Sequence, residues 1–156
     1  GLGCTIAEFP INEETAAAAA QAGDAIVFGA PNVVRGGSHT GCPAASAMAA
    51  RGLCSALASD YYYPALPLAP FRLAQEGALD LAAAWQLVSY GPAAALGLLD
   101  RGTIREGMRA DLVLLEVRSP LPPRIVATMV GGWIALLTEP DRFQNSRIAR
   151  GRSTLD

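Results

Sequence analysis

The chain carries one histidine, and its neighbours are of unusual types. The stretch "GAPNVVRGGSHTG" (29 to 41) places His39 beside Ser38, the adjacent pair Gly36 and Gly37, and Arg35, directly after an apolar run. Paired glycines let the backbone approach another group closely, and a guanidinium presents a planar donor fork matched to phosphate or carboxylate. Two carboxylates occupy comparable places: Glu8 near the end of "CTIAEFP" and Asp60 at the end of "LCSALASD". A carboxylate can bind a cation or take a proton from water, while Arg35, Asn32, Ser38 and His39 can hold an oxyanion by charge-assisted or neutral hydrogen bonds. Backbone amides around Gly36, Gly37 and Ser38 are further candidate donors. Each residue has an ordinary alternative: Glu8 accepting from the following helix, Asp60 bracing a loop, His39 bonded to backbone, and Tyr61, Tyr62 and Tyr63 merely packing. Three titratable groups at three successive strand ends favour a shared site.

The elements that must position these groups follow from apolar runs and their stops. "CTIAEFP" (4 to 10) reads as a strand ended by Pro10, and "NEETAAAAAQAG" (12 to 23) as a helix started at Asn12 and closed by Gly23. "DAIVFGAPN" (24 to 32) is a second buried strand running into a Gly/Pro loop, "PAASAMAARG" (43 to 52) a small-residue helix, and "LCSALASD" (53 to 60) a third strand. Alternation of this kind implies parallel strands joined by helical crossovers, with chemistry gathered at the C-terminal edge. Downstream, "LDLAAAWQLVSYGPAAALGL" (79 to 98) starts at Asp80, places Leu81, Ala84, Trp85 and Val88 on one helical face, and opens a second short helix at Pro92 that stops near Gly97. "DLVLLEV" is strand-like, and "PRIVATMVGGWIALL" (123 to 137) reads as a hairpin about Gly131-Gly132. The expected division is 1–98 for the α/β part, 99–138 for a small β element and 139–156 for an arginine-rich polar tail.

Composition removes several classes. A length of 156 residues with 51% hydrophobic and 17% charged residues suits a core-bearing domain and excludes a disordered polymer. The alanine-rich runs fall short of the roughly 20 apolar residues of a membrane span, so no membrane partner is expected. A formal charge of −2 supplies no electrostatic reason for nucleic acid as partner. All twelve basic residues are arginine, which rules out a Schiff-base, P-loop or carbamylated lysine within the chain. Cys4, Cys42 and Cys54 lack CxxC spacing and read as reduced thiols of a cytoplasmic protein.

"GPAAALGLLDRGTIREGMRADLVLLE", from Gly91 to Glu116, resembles the C-terminal pattern NPAxxLGLxDRGxIxxGxxADLV of the amidohydrolase superfamily. "AEFP", "GAPNVVRGGSHTG", "ASDYYYP" and "FRLA" resemble a branch of that superfamily, the diphosphatases of bacterial phosphonate catabolism. The resemblance implies an α/β fold: the C-terminal part of a (β/α)8 metal-dependent hydrolase barrel, about strands 6 to 8, plus part of a small β-sandwich domain. The strands ending in Glu8, near Asn32 and in Asp60 would be the sixth, seventh and eighth, with Gly29 to Gly41 a loop facing substrate. Asp60 would bind metal and take a proton from the attacking water. Asp60, His39 and Glu8 are the candidate ligands of a divalent metal, with zinc the expectation, and Asn32, Arg35, Gly36, Gly37, Ser38 and His39 the candidate substrate contacts. His39 stays open between metal and phosphate.

The superfamily's HxH is absent, so the metal would need ligands from outside this chain. Strands six to eight alone would also leave two barrel edges open. The resemblance implies as partners the remainder of the barrel and a ribose methylphosphonate 5-triphosphate or similar polyphosphate, with a homo-oligomer as a further option. The chain by itself is expected to be inactive. The alternatives are a C–N bond amidohydrolase (amidase or deaminase) and a non-catalytic fragment that oligomerises through its exposed strand edges.

Overall fold

The computed structural model describes residues 3–37, 41, 43–118 and 122–138. It is mixed α/β, with two three-stranded sheets. The chain divides by contacts into two compact units, Gly1–Met108 and Arg109–Asp156. The boundary follows Met108 because the "DRG" turn folds back on the preceding helix, where a Cβ on Gly102 would lie 2.9 Å from the Ala93 Cβ. The polar tail from 139 lies outside the described residues.

In the first unit, β1 (Ile6–Glu8), β2 (Ala25–Gly29) and β3 (Ala56–Ala58) form a parallel sheet in the order β1-β2-β3. Between β1 and β2, α1 (Glu13–Ala22) begins where the Asn12 side chain accepts from the Thr15 N–H at 2.8 Å, and ends at Gly23 with φ 82°. Glu13 and Glu14 in its first turn complement the positive end of the helix dipole. Ile26, Phe28 and Leu57 turn toward the helices and form the core with Ala16, Val33, Met48 and Leu73. Burial of each large side chain among them is worth about 1.5–3 kcal/mol.

Two helices depart from the sequence expectation. Residues expected to form a loop after β2 instead form α2 (Ala30–Arg35), so Asn32 and Arg35 ride on a helix. Pro31 does not prevent this, since the first helical turn has no use for its missing N–H. The second, α4 (Ala65–Gln75), lies in a stretch for which no element is expected above, and it contains Pro67 and Pro70, which lack the N–H a helix interior uses. Ala65, Ala69 and Leu73, one helical turn apart, are all fully buried, and Pro70 is buried beside them. Packing of that stripe outweighs the one backbone bond that Pro70 cannot make.

The expected helix at 43 to 52 is the shorter α3 (Ala45–Ala50). After α4 come α5 (Leu81–Gln86), capped by Asp80 Oδ1 accepting from the Ala83 N–H at 2.8 Å, and α6 (Tyr90–Ala95), which starts two residues before Pro92. Of the face expected on α5, Ala84 is fully buried but Leu81 is 43% exposed; Leu87, just past the helix, is buried in its stead. Two contacts also cover the outer edge of β3: the Leu57 N–H donates to the Leu87 carbonyl at 2.8 Å, and α6 lies against Ser55 at Gly91. The expectation of two open edges thus fails at β3. At β1, Thr5 and Phe9 bond to β2, and the alternation turns the backbone groups of Ile6 and Glu8 away from it.

In the second unit, β4 (Leu112–Glu116), β5 (Arg124–Val130) and β6 (Trp133–Leu137) form an antiparallel meander. The β5–β6 turn is Gly131-Gly132, with φ 57° and 86°, the left-handed pair that a two-residue hairpin of this twist requires. Asp111 ties this turn down, accepting from the Gly131 N–H at 2.7 Å and pairing with Arg109 at 2.8 Å.

Candidate active site

Glu8, Gly29 and Asp60 come to one edge of the parallel sheet. β1 ends at Glu8, β2 at Gly29, and Asp60 follows β3 by two residues. The register pairs Glu8 with Val27 and Gly29 with Ala58. Alternation therefore sets Glu8 with Val27 and Ala56 on the face opposite the Ile26–Phe28–Leu57 core. Two strand spacings, about 10 Å, separate β1 from β3 laterally. Glu8 and Asp60 are both exposed, and neither has an ion-pair partner among the described residues.

The ends of the strands are shaped by unusual backbone. Phe9 and Asp60 adopt left-handed φ of 51° and 52°. For Asp this conformation is tolerated because its short polar side chain bonds locally; for Phe it is rarer. The Phe9 N–H stays in the ladder, donating to Val27 at 3.0 Å, while its ring crosses β2 at Gly29, where a Cβ would sit 3.3 Å from the ring. After β3, the Tyr62 N–H donates to the Ser59 carbonyl at 3.0 Å and closes a turn that carries Asp60 and Tyr61 together.

The Gly36-Gly37 segment differs from its sequence reading. The Gly36 N–H donates to Val33 at 3.1 Å and the Gly37 N–H to Asn32 at 3.2 Å, so both amides are engaged in the C-terminal cap of α2. They are not open donors for phosphate. Gly36 serves the turn instead, with φ 80°. Asn32 is likewise engaged: its Oδ1 accepts from the Ala45 N–H at 2.9 Å and supplies the first turn of α3 with a cap its own residue Ala44 cannot provide.

Arg35, in the last turn of α2, extends toward β3. Its Cζ stands 5.0 Å from the centroid of the Tyr61 ring, and it has no carboxylate partner among the described residues. The structure thus joins Arg35 to the turn bearing Asp60, through a residue the sequence offered only as packing. No spacing in the sequence pairs Tyr61 with Arg35; the contact depends on how α2 lies beside α4 and β3. Ser38, His39 and Cys42 lie outside the described residues.

Among the described residues, no three His, Cys, Asp or Glu side chains gather where an ion could be held. What the rim offers a metal is two exposed carboxylates, Glu8 and Asp60, without an ion-pair partner among the described residues, whose hard oxygen donors fit part of a divalent-cation shell. A cavity of about 660 Å³ lies at the other end of the sheet, lined by Thr5, Asp24, Ser55, Gln86 and Tyr90 among others. Thr5, Asp24 and Ser55 immediately precede the strands, so this cavity opens at the N-terminal edge, away from Glu8 and Asp60. No described helix is long and apolar enough to cross a membrane.

Residues 10–150 match the amidohydrolase family, and the chain belongs to it. It is also similar to the alpha-D-ribose 1-methylphosphonate 5-triphosphate diphosphatase of Escherichia coli (strain K12), with 52% identity over 115 residues. That match takes in 72% of this chain and 30% of the relative, so the chain spans under a third of that relative's length.

Proposed function

We propose that this chain forms the C-terminal part of a divalent-metal-dependent hydrolase that releases pyrophosphate from alpha-D-ribose 1-methylphosphonate 5-triphosphate in the cytoplasm. In this reading β1, β2 and β3 are barrel strands six to eight, and the β4–β6 meander is part of a small β-sandwich. The parallel order β1-β2-β3 supports the first assignment. The exposed apolar side chains of Leu112, Leu114, Trp133, Ile134 and Leu136 support the second, since a sheet this apolar calls for a covering layer. The observation that carries the substrate class is the identity of 52% to the diphosphatase.

The chemistry asks three things of the site: a nucleophile made from water, neutralisation of phosphate charge, and exclusion of misaligned substrate. A bound divalent ion, zinc on this reading, would acidify a coordinated water and screen the phosphate oxygens. Asp60 and Glu8 would supply oxygen ligands from this chain, His39 a further ligand or phosphate donor, and the rest would come from the preceding strands. Asp60, on a left-handed turn at the strand end, orients the water and accepts its proton. Arg35 binds phosphate oxygens through its in-plane N–H groups. Ser38 adds a hydroxyl to the same segment. The glycines shape the turn with their amides given to Val33 and Asn32 rather than to phosphate, and Asn32 holds α3 in place.

The test uses the full-length gene product that carries this chain. Pyrophosphate release from a ribose 5-triphosphate, with cyclic amides and nucleobases left unchanged, is the expected outcome. Hydrolysis of a C–N bond with no pyrophosphate release would replace this reading with the amidase or deaminase alternative.

A further inference from the structure

We infer that Tyr61 is a positioning residue: its ring is a shelf that holds the Arg35 guanidinium at the strand-end rim with its hydrogen-bonding edge open for a phosphate group. The inference rests on the polyphosphate reading above and adds a residue that reading does not require.

Three observations carry it. Tyr61 is 63% exposed, so its ring contributes little to the core. The ring instead faces Arg35, whose Cζ is 5.0 Å from its centroid. Arg35 has no carboxylate partner among the described residues, whereas Arg72, on the neighbouring α4, is paired with Glu76 at 2.8 Å. An anchoring carboxylate would occupy the guanidinium's N–H donors, which lie in its plane and are the groups a phosphate needs. An aromatic face attracts the cation through its quadrupole and leaves that plane's donors open. The same closed turn, Ser59 to Tyr62, carries Asp60, so the shelf keeps a fixed relation between the carboxylate that acts on water and the arginine that grips phosphate. Without the ring, an arginine at a helix end would sample many rotamers, and ordering it would weaken anion binding.

The probe is inorganic tripolyphosphate, titrated calorimetrically into the full-length gene product that carries this chain. Tyr61→Phe keeps the π face and binds within twofold of the wild type. Tyr61→Leu removes it and weakens binding about two- to fivefold, the range of an exposed cation–π contact. In an Arg35→Gln background, where binding is already largely lost, Tyr61→Leu has no further effect. Arg72→Gln, with its partner Glu76 left behind, is the control and changes binding by less than twofold. Thermal melts of all variants verify folding, which exposure of Tyr61 favours. If Tyr61→Leu binds like the wild type, or weakens binding equally in the Arg35→Gln background, the shelf is refuted while the polyphosphate reading stands. If the wild type takes up no tripolyphosphate, or Arg35→Gln binds it unchanged, the anion-binding reading fails and the shelf with it.

Discussion

Gly91 tests how the outer edge of β3 is covered. The superfamily pattern has asparagine at this position, and here the missing Cβ is used: α6 lies so close to β3 that a Cβ would fall inside contact distance of the Ser55 carbonyl oxygen, with Gln86 O and Ser55 C each at 3.1 Å. The φ of Gly91 is not in the left-handed region, so Gly91→Ala adds no backbone strain and the effect is steric. Overpacking costs typically 1–3 kcal/mol, and the atom struck here is a backbone carbonyl oxygen just before β3, which cannot swing aside as a flexible side chain can. Displacing α6 also weakens the nearby Leu57–Leu87 hydrogen bond, worth about 1 kcal/mol. We expect a loss of about 3 kcal/mol, which lowers the melting temperature of a unit this size by roughly 12–24 °C. Urea titration followed by circular dichroism at a helix band reads the first unit, where every described helix lies. The comparison is Gly97→Ala, at φ 67° with open space around its Cβ position, which should cost only about 1 kcal/mol of backbone strain. Equal losses in the two variants, or a Gly91→Ala loss under 1 kcal/mol, would refute the close approach of α6 to β3.

Asp60→Asn retains a side chain that tolerates left-handed backbone, so its melting temperature should match the wild type. Pyrophosphate release by the full-length product should nonetheless fall about 10²–10⁴-fold, the usual worth of a positioned base, and a loss under tenfold would remove Asp60 from that role. Asp80→Ala or Asn12→Ala deletes one helix cap and should cost about 1 kcal/mol each in denaturant titrations. Burial pushes the Cys54 thiol up to about 12, from an ordinary 9.0. Unfolded chains therefore lose this proton first, and stability should decline as pH rises from 9 toward 12, by about 1.4 kcal/mol per unit from this group. At pH 8, a thiol reagent should label exposed Cys4 in the folded chain while leaving Cys54 untouched until denaturant is added.

Most elements of this chain were legible because local physics specifies them. Asn12 and Asp80 announce helix starts by offering side-chain oxygens to free N–H groups, and Gly23 announces a stop by accepting left-handed φ. Gly131-Gly132 between two apolar runs specifies a tight hairpin for the same reason. Alternation of strand and helix was enough to bring Glu8, Gly29 and Asp60 to one edge, since parallel strands must all end on the same side. The failures occurred where a local rule met a larger packing term or a competing bond. α4 has no start signal of that kind and holds Pro67 and Pro70, yet the buried Ala65–Ala69–Leu73 stripe carries it. Gly36 and Gly37 suggested phosphate-binding amides, but a helix ending there claimed those N–H groups first. Sequence thus decided which residues share the rim. Only tertiary structure decided which of their groups remain unengaged, because hydrogen-bond donors and ring faces are claimed by whatever the fold brings within reach: Asn32 by Ala45, and Arg35 by the face of Tyr61.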